Sequence, residues 1–160
     1  MQGVRTMSQI FKIVAAMAVP GLLAGCAPPT HTLPANVPFS SLSGTSWELV
    51  ELHIAADGQG SRIPGNPANY TIAFRGDGTA AMQLDCNRGN GPWRNDISNA
   101  TGGTLAIGPL AVTKALCSEP TLGEDLEMAI GRVRNFTVMG GRLTMRLVND
   151  SDVIVWRENK

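Results

Sequence analysis

The sequence has no charge surplus: among 160 residues, 13 Lys and Arg stand against 13 Asp and Glu. Nothing in that balance draws the chain to nucleic acid. Histidine is scarce, with only His31 and His53. Zinc takes four ligands, or three and a water, and a hydroxyl or thiol nucleophile takes a base. Neither a metal centre nor a hydrolytic triad is expected from two histidines, and no serine lies in a Gly-x-Ser-x-Gly turn. The three cysteines contain no Cys-x-x-Cys pair, which argues against redox catalysis. The apolar run 13–23 is eleven residues long, where a membrane-spanning helix needs about 20. What the chain does have is a hydrophobic content of 43% against 16% charged residues, the balance of a globular core rather than a disordered coat. Its length fits one domain with some excess.

The excess lies at the start. Arg5 and Lys12 precede the short apolar run, the order of a secretory signal, and Met7 is a second candidate start. The run closes on Leu23-Ala24-Gly25-Cys26, which resembles the bacterial lipobox. A small residue before the cut suits a narrow peptidase cleft, and the thiol is the nucleophile that takes the lipid. The expectation is removal of residues 1–25 and acylation of Cys26; the alternative is an ordinary signal with an incidental cysteine. Ala27 rather than Asp after Cys26 points to the outer membrane, facing the periplasm. The membrane contact is then the N-terminal lipid, since stable anchoring takes more than one acyl chain. Residues 26–41 carry prolines at 28, 29, 34 and 38 and read as an extended linker in which His31 is solvated.

Residues 42–158 carry the folded domain, read as mainly β with one helix. Trp47 and Leu49 keep one alternation and Val50, Leu52 and Ile54 the other, so a bulge is expected at Leu49-Val50. Residues 57–69 read as a loop. Tyr70, Ile72 and Phe74 alternate, Arg75-Gly76-Asp77-Gly78 turns, and Ala80, Met82, Leu84 and Cys86 return on one inward face. Asn87–Gly91 reads as a tight loop with positive φ. Short strands are expected at 105–107 and 110–112. Thr121 and Glu124 fit a capping box, followed by a helical stripe of Leu122, Leu126, Ala129, Ile130 and Val133. Strands at 136–139, 142–148 and 153–157 close the chain, turning at Gly140-Gly141 and Asn149-Asp150. The architecture expected is an antiparallel curved sheet or small barrel with one α-helix packed across it.

In order, Phe74-x-x-Asp77-Gly78, Cys86-Asn87-Arg88, Gly91, Trp93, Leu105-x-Ile107-Gly108-Pro109-Leu110, Thr113-x-x-x-Cys117, Glu124 and Phe136-Thr137-Val138-x-Gly140-x-x-Leu143 resemble the META domain, the heat-shock protein HslJ-like family, over about 45–157. Two positions depart from the pattern: Asp85 stands where the family commonly has Gly, and Trp93 where it often has Tyr. The resemblance implies a small β-barrel with a helix across it, similar in fold to secretin pilot lipoproteins. It implies a bacterial lipoprotein or envelope protein, in some members linked to heat shock or antibiotic tolerance. It brings no catalytic residue and no cofactor.

Cys86 and Cys117 are an even pair in an oxidising compartment, which favours a disulfide; the alternative is two buried thiols. Asn87 is expected to brace its loop through the side-chain amide, and Arg88 and Trp93 are the candidate partner contacts. Arg75-Gly76-Asp77 spells an adhesion tripeptide but reads as a turn. The functional expectation is a non-enzymatic envelope module that binds a protein partner or acts under stress. The alternative is a barrel holding a small apolar ligand in a pocket lined by Trp93, Tyr70 or Phe136, or an inhibitor of a cell-wall enzyme.

Overall fold

The computed structural model describes residues 41–160 apart from 56, 57 and 59. The signal, Cys26 and the linker with His31 lie outside the described residues. The described residues form ten strands: β1 (Thr45–Ile54), β2 (Gly60–Arg62), β3 (Tyr70–Phe74), β4 (Thr79–Leu84), β5 (Asn87–Asn99), β6 (Gly102–Ile107), β7 (Ala111–Val112), β8 (Val133–Met139), β9 (Arg142–Leu147) and β10 (Val153–Glu158). One helix, α1 (Gly123–Ile130), precedes β8.

Eight of the strands close on themselves in the order β1-β3-β4-β5-β6-β8-β9-β10, and β10 pairs back to β1. Every pairing is antiparallel. β2 adds to the end of β1, and β7 adds to the start of β5. The expected mainly β architecture is thus a closed barrel, which pairs most of the strand edges an open sheet would leave exposed.

The interior is filled by the barrel's own side chains. Trp47, Trp156, Phe74 and Phe136 are its largest fully buried members, packed with Leu49, Ile72, Leu105 and their neighbours. β3 and β4 alternate buried and half-buried residues along their whole length, as their sequence does. The bulge lies where the alternation flips: β1 pairs Leu49 with Trp156 and Glu51 with Val155, leaving Val50 as the extra residue. That one residue turns Leu52 inward, so Trp47, Leu49 and Leu52 all reach one core.

Antiparallel topology gives the barrel two distinct ends. At one, β1, β4, β6 and β9 finish and β3, β5, β8 and β10 begin. The helix covers this end. Leu126, Ala129 and Ile130 enter the core, and the Leu122 N–H donates to the Tyr70 hydroxyl at 3.1 Å. A Cβ on Gly123 would stand 2.9 Å from the Leu84 carbonyl oxygen, so helix and barrel rim meet closely only with glycine there. At the other end Leu42 is buried and Gly44 donates to the Phe74 carbonyl, so the described chain enters the domain opposite the helix.

Four local expectations are corrected. Asn87–Gly91 is not a loop but the start of β5, paired with Ala80–Leu84 on one side and with β7 on the other. Its glycines answer to crowding rather than positive φ: a Cβ on Gly91 would lie 2.7 Å from the Pro109 carbonyl oxygen. The left-handed residue is Asp85, at φ 61°. Asp85-Cys86 forms a two-residue turn between Leu84 and Asn87, so Cys86 leaves the inward face and is exposed. Residues 60–62 and 67–69, read as loop, form β2 and a 3-10 turn.

The helix is also shorter than its stripe. It ends at Ile130, and Val133 opens β8 instead. Thr121 sits one residue before the N-cap Leu122; its hydroxyl accepts from the Gly123 N–H at 3.2 Å, while the Glu119 carboxylate accepts from the Thr121 N–H. The reciprocal box with Glu124 therefore does not form. Arg132 lies beyond the helix and reaches Asp152, the one fully buried charged side chain among the described residues. Asp152 also accepts from the Ala55 N–H at 2.8 Å, which ties the end of β1 to the turn before β10.

Candidate functional site

Of the residues singled out in the sequence, Cys86, Asn87, Arg88 and Cys117 lie at the helix end, whereas Trp93 lies toward the other end of the barrel. After β7 the chain crosses this end as a strap, residues 113–122, without regular structure. Irregular backbone needs side chains to satisfy it, and Asn87 supplies them. Its Oδ1 accepts from the Ala115 N–H at 2.7 Å, and its Nδ2 donates to the Ala115 carbonyl at 2.9 Å. The same Oδ1 takes the Thr113 hydroxyl proton, and the Thr113 oxygen accepts from the Arg88 N–H. The Thr113 N–H donates to the Arg88 carbonyl. One asparagine thus replaces a missing strand partner for the strap.

The covalent tie follows directly. A disulfide joins Cys86 and Cys117, Cα atoms 5.6 Å apart, across 31 positions of sequence. Asn87 Nδ2 lies 3.3 Å from the Cys117 sulfur. The spaced motifs Cys86-Asn87-Arg88 and Thr113-x-x-x-Cys117 are therefore two halves of one latch.

Arg88 and Trp93 do not join it as a shared surface. Arg88 donates through Nε to Gln83 Oε1 across the strand pair. Trp93 sits at the far half of β5, edge-on to Phe74 with ring centroids 4.9 Å apart, and donates to the Arg75 carbonyl at 3.2 Å. It braces the Arg75–Gly78 turn. There the Thr79 N–H donates to the Asp77 carboxylate at 2.9 Å. That bond, helped by the Thr79 hydroxyl and the Arg75 charge, holds the Asp77 pKa below the usual aspartate range. Tyr70 and Phe136 are buried in the core, so they line no pocket with Trp93.

His53 is a cross-strand neighbour of Ser61, with Nδ1 3.1 Å from the serine oxygen. The Ser61 hydroxyl donates to Glu51 Oε1. A hydrolytic relay needs the imidazole between hydroxyl and carboxylate. Here the serine is in the middle and gives its proton to the acid, so the trio is a surface network. Among the described residues no cluster of His, Cys, Asp and Glu could hold a metal. No helix among them is long and apolar enough to cross a membrane.

Two open clefts flank the outer face of α1. One, about 160 Å³, lies between the strap and the helix start, over Leu84 and Val112, with Glu124 on its wall. The other, about 340 Å³, lies between Ile107–Leu110 and the helix end, beside Met128. Glu127 borders both, and its carboxylate takes the Lys114 ammonium at 2.7 Å. Leu116 is 101% exposed and Met128 65%. Sequence reasoning passed over these residues: Leu116 sits in an aperiodic stretch, and thirteen positions separate Lys114 from Glu127. Only the mismatch of Met128, apolar on the polar side of the helical stripe, was there to be read.

A closed antiparallel barrel with one covering helix and a disulfide-latched strap defines the class: a small single-core β domain. The family profile of the META domain matches residues 40–160, and the chain belongs to that family. The NMR structure of a protein from Burkholderia xenovorans is similar, with a TM-score of 0.58 at 21% identity over 94% of this chain and 99% of that one. The crystal structure of a DUF4847-family protein from Bacteroides vulgatus gives 0.49 at 16% identity over 73% and 94%. None of the curated proteins matches the chain.

Proposed function

We propose that this META domain is a lipid-anchored, non-enzymatic module of the bacterial envelope that works by contact with other envelope proteins. The observation that carries the reading is where its open clefts lie. The barrel interior is occupied by Trp47, Phe74, Phe136 and Trp156, while the open clefts and the exposed Leu116 and Met128 lie outside it, around α1. A ligand carrier of this fold keeps its cavity within the strands; a docking module keeps its apolar contacts on the rim. The lipobox-like Leu23-Ala24-Gly25-Cys26 supports the anchor, and the linker after it supplies the reach.

Pull-down of the intact lipoprotein from envelopes with mass spectrometry, beside native mass spectrometry of the purified protein, tests this. The reading expects a reproducible protein partner and an unliganded mass. A stoichiometric small molecule would favour the ligand-holding barrel instead, and capture of a cell-wall enzyme with loss of its activity would make the contact an inhibitory one.

A further inference from the structure

The helix α1 has two working faces. Leu126, Ala129 and Ile130 point into the barrel, whereas Glu124, Glu127, Met128 and Gly131 border the two clefts. These four follow i, i+3, i+4 and i+7, one continuous stripe. The two clefts share Glu127 and line up along one side of α1 as a groove that the Lys114–Glu127 pair interrupts midway, with residues 107–110 and 112–116 on its far side. Its floor is apolar, with Leu84 and Val112 under the strap and Ile107 and Leu110 beyond. The disulfide and Asn87 hold the strap wall in place.

The charges select the occupant. Glu127 is answered by Lys114, but the Glu124 side chain on the groove wall has no ion-pair partner among the described residues. Asp125 is answered by Arg62. The groove therefore presents apolar surface with an uncompensated carboxylate at one end.

Building on the partner-binding reading, we propose that this groove docks an amphipathic segment of an envelope protein, apolar residues toward Leu116 and Met128 and a Lys or Arg beside Glu124. Such complementarity fixes register and partner choice more than raw affinity, and tethering both molecules to one envelope makes a modest affinity sufficient.

The test places a photo-reactive residue at Leu116, Met128 or, at the opposite end, Met139 in the full chain, and irradiates intact cells. Protein adducts are expected from 116 and 128 at about threefold or more over 139, mapping to a segment with Lys or Arg among apolar residues. Glu124→Lys, exposed and outside the core, should cut them by about threefold or more. Adducts that persist in Glu124→Lys, map to acidic segments or consist of lipid overturn the inference. Protein adducts from 139 alone overturn the groove and leave the partner reading standing. No protein adduct from any position overturns both.

Discussion

Along Tyr70–Phe74 and Thr79–Leu84 the chain needs only alternation: every second residue enters the core, and the backbone bonds of β3 and β4 follow. From Thr113 to Leu122 it does the opposite. No ladder forms, and the strap is held by one asparagine amide, a threonine hydroxyl, an ion pair and a disulfide. The wall is stabilised by many small equivalent contacts, the strap by a few irreplaceable ones. The contrast predicts that damage to the wall is costly and global, and damage to the strap smaller and local.

The largest effect is expected in the wall. Trp156→Ala empties the centre of the core and should cost about 3–5 kcal/mol in denaturant unfolding, with the β sheet lost as one unit. Next comes the latch. Cys86→Ser and Cys117→Ser should each cost about 2–5 kcal/mol, and the double variant should cost little more, since both break one bond. The oxidised, denatured mature domain, with Cys26 acylated or removed, should show no free thiol. Clearly additive losses would mean that the sulfurs stabilise independently.

Asn87→Ala sharpens the comparison. It removes the bonds to both Ala115 backbone groups and to Thr113, at an expected cost of about 1–3 kcal/mol. Hydrogen exchange should accelerate at Ala115 and leave β3 and β4 slow; uniform acceleration would erase the distinction between strap and wall. Asp85 tests the turn that aims the latch. Its positive φ favours glycine, so Asp85→Gly should be tolerated within about 1 kcal/mol, whereas Asp85→Val should cost about 1–2 kcal/mol or more. The smallest effect is at Asp77. Its depressed pKa means that the turn is supported fully at neutral pH and loses that support as pH falls through the lowered value. Carboxyl-carbon NMR titration should find its midpoint below that of an ordinary aspartate.

The same division decides how legible the molecule is in its sequence. Period-2 patterns announced β3, β4 and the closing strands, and the phase flip at Leu49-Val50 announced the bulge. Closure into a barrel needs the β10–β1 pairing, a contact between chain ends that no local pattern carries. The glycines at 89 and 91 misled because crowding and positive φ select the same residue. The helix stripe ran on to Val133 because a buried position at the start of a strand looks like one more turn of helix. Of the candidate site, the two cysteines were readable, and Asn87 stood out for its amide, but it was expected to brace its own loop and instead holds the strap, a segment 26–28 positions away. The groove was not readable. It is made by elements far apart in sequence, and its walls carry ordinary Leu, Met and Glu.

One strand has a bearing on how copies of the protein tolerate one another. β4 stops at Thr79, opposite Pro92, and beyond it β5 runs on from Arg94 to Asn99 with β6 as its only strand neighbour among the described residues. A bare strand side of this kind is a template for another chain. This one is poorly suited to templating. Arg94 and Asp96 alternate on it, a bulge breaks its register between Ile97 and Asn99, and a symmetric antiparallel pairing centred at Asp96 would set two carboxylates face to face. Copies brought close together thus meet at that edge without zipping together.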